Sequence, residues 1–288
     1  MPGPVKDYDS VPTAVETYRR ALVGAEDRSV TIASIGITTN IRDLLQSNGD
    51  SISPLTGKQL VEQKVRKVIW MDMMYNFGCA EVLTMDWLGG DAGCHGSAKV
   101  AVMEMPDSVE QAFSSVGGEF LTGQQGIASS CMREDNPCRK AYEGWDKAYD
   151  DIFEDIMHRG AGSWDTLATL LAIRGEEGTH LKIDQVGYKM LVDDEGHEDF
   201  QYNTKYNAYR IRYKDSGSAE QIKNEINELL CADSAHNQNQ WTPAPTPMRN
   251  DFNHSAPVAP AQAEHAYQPP TRAEAPWISC GKMYMGEC

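Results

Sequence analysis

Val30-Thr31-Ile32-Ala33-Ser34-Ile35-Gly36-Ile37 is the stretch on which the fold reading turns. It is short, apolar and β-branched, the composition of a strand buried on both faces of a sheet. Lys67-Val68-Ile69-Trp70-Met71 reads the same way. Between the two, Thr39-Asn40 can cap a short helix carrying Ile41, Leu44 and Leu45, and a second helix holds Leu60, Val61 and Val65. Strand, helical crossover and strand imply a right-handed parallel unit.

The pattern extends in both directions. Upstream, Thr13 and Glu16 have capping-box spacing, Val15, Tyr18 and Leu22 recur at helical intervals, and Gly24 can stop that helix. Downstream, a helix is expected around Ser97–Met105 and a strand around Val109–Val116. Asn136-Pro137 is a helix start, with helices through His158, and Trp164–Arg174 forms another, closed by Gly175. From Leu181 to Tyr213 the sequence turns to β-rich segments around a hairpin-like Asp193-Asp194-Glu195-Gly196. Ser218 with Gln221 reads as a second capping box on a helix whose apolar face is Ile222, Ile226, Leu229 and Leu230. The fold expected is α/β, a mostly parallel, Rossmann-like open sheet with a β-hairpin insertion, over residues 1–232. The segment 233–288 carries eight of the fourteen prolines and few aliphatic side chains, too little apolar area to offset its ordering entropy, so it reads as a disordered tail. Trp277, Ile278, Met283 and Tyr284 could form a docking motif at its end, against the simpler reading of an unstructured terminus.

Composition narrows the function. The 288 residues carry 26 Lys+Arg against 42 Asp+Glu, a net charge of −16, which argues against a general phosphate-backbone binder and so against nucleic acid as a partner. No apolar run approaches the roughly 18–20 residues that span a bilayer, so no membrane partner is expected. Met1 to Ser10 lacks the apolar core of a signal peptide, which makes the cytoplasm the default compartment. Seven cysteines are too few for a disulfide-built fold of this length. Cys79, Cys94, Cys131 and Cys138 fall in loop-like sequence, and free thiols are the simpler reading for them.

There is no HExxH, GxSxG, GxGxxG or complete phosphate loop. Gly90-Asp91-Ala92-Gly93-Cys94-His95-Gly96-Ser97 is glycine-rich, but its lysine comes late, at Lys99, and a plain loop is favoured. Asp146, Asp150, Asp151, Glu154 and Asp155 read as a solvated helix face rather than a metal site. Three features stand out. Ile35–Asn40 places glycine and polar residues at the carboxyl end of a strand, where open α/β sheets bind ligands, and Tyr75-Asn76-Phe77-Gly78-Cys79 does so after the next strand. Ser163-Trp164-Asp165 puts a carboxylate in the first turn of a very apolar helix, a place the macrodipole alone favours.

These segments resemble inosine/uridine-preferring nucleoside hydrolases. Ser34-Ile35-Gly36-Ile37-Thr38-Thr39-Asn40 is similar to the strand-to-loop segment ending Gly-Pro-Leu-Thr-Asn in that family. Ser163-Trp164-Asp165-Thr166-Leu167 looks like the late helix that begins Trp-Asp-Pro or His-Asp-Pro. Met74-Tyr75-Asn76-Phe77-Gly78-Cys79 looks like the Glu-Phe-Asn-Phe-Gly segment. The resemblance covers about residues 10–230, in the same segment order. It implies a hydrolase of the N-glycosidic bond of purine and pyrimidine ribonucleosides, with a Ca²⁺-activated water. On this resemblance Asp165 is the late calcium carboxylate, Thr39 the backbone-carbonyl calcium ligand and Asn76 a ribose-binding residue.

The family's Asp-x-Asp-x-x-x-Asp-Asp segment, which follows its opening strand and carries the catalytic base, has no counterpart here. Asp7-Tyr8-Asp9 follows no strand, Met74 stands where the family carries a glutamate, and Trp164 where some members use an acid histidine. The chain therefore reads as a degenerate or N-terminally truncated member whose catalytic residues are unassigned. A missing central first strand would leave two inner sheet edges unpaired. The alternative is a non-catalytic protein of this fold that binds a ribosyl ligand or a partner protein. A homo-oligomer is left open.

Overall fold

The computed structural model describes residues 11–36, 38–71, 94–114, 116–124, 134–149, 159–192, 198–202 and 206–232. Asn76, the Gly90–Gly93 part of the glycine-rich loop, Asp150–Asp155, the hairpin turn at Asp193–Gly196 and the tail 233–288 all lie outside them. The chain divides into two units, Met1–Thr122 with Ala161–Glu228, and Gly123–Gly160 with Leu229–Cys288.

In the first unit, α1 (Ala14–Gly24) precedes β1 (Val30–Ser34), α2 (Thr39–Gln46), α3 (Gly57–Lys64) and β2 (Val65–Met71). α4 (Cys94–Met103), β3 (Glu110–Ser114) and the short β4 (Leu121–Thr122) follow. Helix α5 (Pro137–Tyr149) belongs to the second unit. The chain continues through β5 (Ala161–Gly162), α6 (Trp164–Arg174), β6 (Leu181–Val192), β7 (Glu198–Tyr202), β8 (Ala208–Tyr213) and α7 (Ser218–Cys231). The main sheet has the order β1-β2-β3-β8-β6-β7, and β4 pairs with β5 apart from it. Pairings β1–β2, β2–β3 and β3–β8 are parallel, whereas β6 is antiparallel to both β8 and β7. So β6 alone runs against the rest, and the sheet is mostly parallel, as expected.

Two expectations change. The hairpin β6–β7 is no side insertion, because β6 pairs with β8 and completes the main sheet. Nor are two inner edges left open: among the described residues the sheet is continuous from β1 to β7, with β1 at its border. β3 and β8 pair directly with each other, Ala112 opposite Tyr209 and Ser114 opposite Ile211.

The order β1-β2-β3 moves one way across the sheet, so right-handed crossovers leave their helices on one face. There Leu22, Ile41, Leu44, Leu60 and Ala98 pack with Val68, Trp70 and Phe113. Trp70 is fully buried, and its indole N–H donates to Gln111 Oε1 at 3.0 Å, so the ring adds apolar area without an orphaned donor. By strand alternation Lys67, Ile69 and Met71 point to the other face, which α6 covers by packing on β1 and β2. The buried Leu167, Ala168, Leu170 and Leu171 explain why α6 is apolar nearly all round. α6 is joined to α7 by the Arg174–Glu225 ion pair.

In the second unit Asn136 caps α5, its Oδ1 accepting from Arg139 N–H at 3.0 Å, and its amide donates to Leu230 O at 3.1 Å. Cys138 is a free thiol, and Cys231 is disulfide-bonded.

Candidate functional site

The loops that leave the parallel strands at their carboxyl ends carry the polar residues singled out from sequence. The chain leaves β1 at Ser34 and enters α2 through Thr38, the N-cap. Thr38, rather than the expected Thr39-Asn40, occupies that position, and its hydroxyl makes no cap bond. It is buried and meets Ser97 Oγ of α4 at 2.9 Å. Thr39 is the first helical residue, half-buried, its carbonyl at the start of the α2 ladder. A carbonyl oxygen has two lone pairs, so it can take a ligand beside a helical partner.

α6 begins at the same edge. Ser163 N–H donates to Gly117 O at 2.9 Å, just beyond β3. At the far end of the helix Glu176 reaches Lys67, near the start of β2. The helix therefore runs antiparallel to the strands and presents its first turn at their carboxyl ends. Ser163 is the N-cap, yet its hydroxyl pairs with Thr122 Oγ1 at 2.7 Å instead of capping. Asp165 stands two residues inside and keeps part of its surface in solvent. The protein packed around its carboxyl withdraws enough solvent to raise its pKa above the ordinary aspartate value, with its own backbone N–H pulling the other way.

Thr39 and Asp165 are thus brought to one edge of the sheet. Asn76 follows Met71, the last residue of β2, by five positions in the sequence and lies outside the described residues.

Sequence reasoning missed Glu119 and Tyr213. Gly117 has φ +119°, a conformation that disfavours any side chain, and its N–H donates to Glu119 Oε2 at 2.8 Å and to Tyr213 Oη at 3.1 Å. Tyr213 O–H in turn donates to Glu119 Oε2 at 2.7 Å. Burial, then the Glu119 carboxylate, pushes the Tyr213 phenol well above its usual range, so it remains a donor at neutral pH. The only sequence signal was Gly117-Gly118-Glu119 immediately after a strand; Tyr213 lies 94 positions from Glu119. Trp164 fits against two further glycines. A Cβ on Gly118 would lie 2.6 Å from Trp164 Cζ2, and one on Gly162 would collide with Cζ3.

The opposite edge carries a different cluster. Lys67 Nζ lies 2.7 Å from Glu176 Oε1 and 3.5 Å from Glu110 Oε2, and Tyr209 O–H reaches Glu176 at 3.0 Å. Burial raises the Glu176 carboxyl, but the Lys67 hydrogen bond and charge outweigh it and hold the group below its ordinary value. Every polar group there has a protein partner, so the cluster ties α6 to β2 rather than awaiting a ligand. Among the described residues no group of three or more His, Cys, Asp and Glu side chains could hold a metal ion, and no helix is long and apolar enough to cross a membrane. Compared with models of known protein families and with curated proteins, the chain matches none.

Proposed function

We propose that the chain is a nucleoside hydrolase-like protein that takes a ribonucleoside at the carboxyl edge of its sheet. The observation that supports this best is that Thr39 and Asp165, separated by 126 positions in sequence, come to the same edge because α6 runs antiparallel to the strands. Oxygen donors of this kind, a carboxylate and a carbonyl, suit Ca²⁺. Asp165 and Thr39 are the residues that would hold it, and Asn76 would hydrogen-bond the ribose. The ion when bound supplies the charge that orients sugar hydroxyls and makes water a stronger nucleophile. The raised pKa of Asp165 adds a condition: its carboxyl must be ionised to ligate, so calcium affinity falls on acidification sooner than an ordinary aspartate would dictate.

A second reading, a ribosyl-binding protein without catalysis, is favoured by Trp164. The indole N–H is far too weakly acidic to protonate a leaving base, and this ring is held against Gly118 and Gly162.

The test is hydrolysis of inosine and uridine by the purified chain, with Ca²⁺ or a chelator, beside Asp165→Ala. Circular dichroism first establishes that both samples are folded. Calcium-dependent turnover lost in the variant is the expected result. A folded, silent chain that still binds inosine leaves the second reading, and one that neither binds nor hydrolyses overturns both.

A further inference from the structure

The carbonyl and the amide of Gly117 are both engaged. The carbonyl accepts from Ser163 N–H at 2.9 Å, and so holds the N-cap of α6. The amide donates to Glu119 and Tyr213, at 2.8 and 3.1 Å. A Cβ on Gly117 would lie 3.1 Å from the Trp164 Cα, so the loop backbone rests directly on the first turn of α6. The Ser163–Thr122 hydroxyl pair and the two glycines against the Trp164 ring fix the same turn from other directions. Glu119 is itself exposed, and its bonds to Gly117 and Tyr213 bury little apolar area, so it adds little to core packing.

We infer that Glu119 and Tyr213 are positioning residues: together they clamp Gly117, and through the Gly117–Ser163 hydrogen bond they set where the first turn of α6 presents Asp165. The inference rests on the reading of Asp165 as a ligand-binding carboxylate. Glu119 acts as an acceptor of two hydrogen bonds, a role that a neutral amide oxygen at the same place also performs. Tyr213 supplies the O–H that pins the Glu119 carboxyl.

The test uses the full chain labelled with 5-fluorotryptophan, with the Trp164 fluorine resonance assigned through Trp164→Phe and the core Trp70 resonance as the folding reference. Glu119→Ala and Tyr213→Phe are expected to shift the Trp164 resonance and leave that of Trp70 in place. Glu119→Gln, which keeps the acceptor, is expected to retain the wild-type position. Calorimetric titration with CaCl₂ on the same samples is expected to show affinity reduced about tenfold in the first two variants and kept in Glu119→Gln, the size usual for residues that orient a ligand. A Trp164 resonance unmoved in both Glu119→Ala and Tyr213→Phe overturns the clamp. So does a Glu119→Gln spectrum as disturbed as that of Glu119→Ala, since charge rather than hydrogen-bond geometry would then be at work. Should Glu119→Ala not fold, as the Trp70 signal reports, Tyr213→Phe beside Glu119→Gln decides. A wild-type chain that takes up no calcium fails the calcium reading alone, because the fluorine comparison still judges the clamp.

Discussion

Arg19 is fully buried, and each of its three guanidinium nitrogens donates to a protein oxygen. Nε and Nη2 reach the two Asp50 carboxyl oxygens at 2.9 Å, Nη2 also reaches the carbonyls of Ser53 and Leu55 at 3.0 Å, and Nη1 reaches Ser47 Oγ at 3.1 Å. The side chain thereby shapes the turn between α2 and α3 from within. Arg19→Leu would take a hydrogen bond from the Leu55 carbonyl and from that of Ser53, which keeps the Asp50 N–H, and would strip Asp50 of its counter-charge; it is expected to cost roughly 3 kcal/mol in urea unfolding. The Arg19 hydrogen bond, more than any other contact, holds the Asp50 carboxyl at about 2, against an ordinary 3.8. A depressed carboxyl contributes stability that is present above its ordinary value and lost as pH falls towards the folded one. Wild type is therefore expected to lose stability between about pH 4 and pH 2 by this route, and Arg19→Leu to lack that part of the slope. None of this was legible beforehand. Arg19 sits on a helix whose apolar face is defined by Val15, Tyr18 and Leu22, and its partners are 28–36 positions away. Glu119 and Tyr213 were hidden for the same reason, since only tertiary structure brings them to Gly117.

At the scale of elements, local signals were reliable where side chain and backbone close a short loop. The Thr13–Glu16 box forms as expected, and Gly175, at φ +69°, ends α6. A second box, Thr56–Gln59, caps α3 with the same spacing. The box expected at Ser218 is absent. Ser218 is already helical, and its hydroxyl turns back to Asp215, accepting from the Asp215 N–H at 3.1 Å. That competition between side-chain and backbone partners is what spacing alone does not resolve. α6 shows the limit more clearly: its apolar run announced a buried helix, but the slot for Trp164 depends on glycines at 118 and 162. Gly162→Ala is expected to push against that ring and destabilise the fold by about 1–3 kcal/mol, the usual cost of overpacking. Thermal unfolding measures it. An unchanged melting temperature would mean that the ring moves aside freely.

For the molecule as a whole, the parallel β1–β2–β3 core was legible because two β-branched runs flank a helical crossover. The place of β6 was not, since nothing in an alternating pattern says which neighbour a strand chooses. α6 is fixed by two chemically different ends, hydroxyl and glycine contacts at the carboxyl edge and the Lys67 ion cluster at the amino edge. Lys67→Met would leave the half-buried Glu176 without its counter-charge, at an expected cost of roughly 3 kcal/mol. The pH response should also weaken. In wild type the Glu176 contribution is present above 4.5 and lost on acidification, because its folded pKa is lowered. In the variant only the backbone N–H and the Tyr209 hydroxyl would oppose burial, so the loss of stability on acidification should shrink. Urea unfolding at mildly acidic and neutral pH separates the two patterns.

The most direct test of the proposed site is a backbone-amide NMR titration of the full chain with inosine and CaCl₂. If the carboxyl edge binds a ribosyl ligand, the amides of Thr39, Gly117 and Asp165 shift together and those around Lys67 and Glu176 stay in place. Shifts confined to the amino edge, or none at either edge with inosine in large excess, would contradict the assignment.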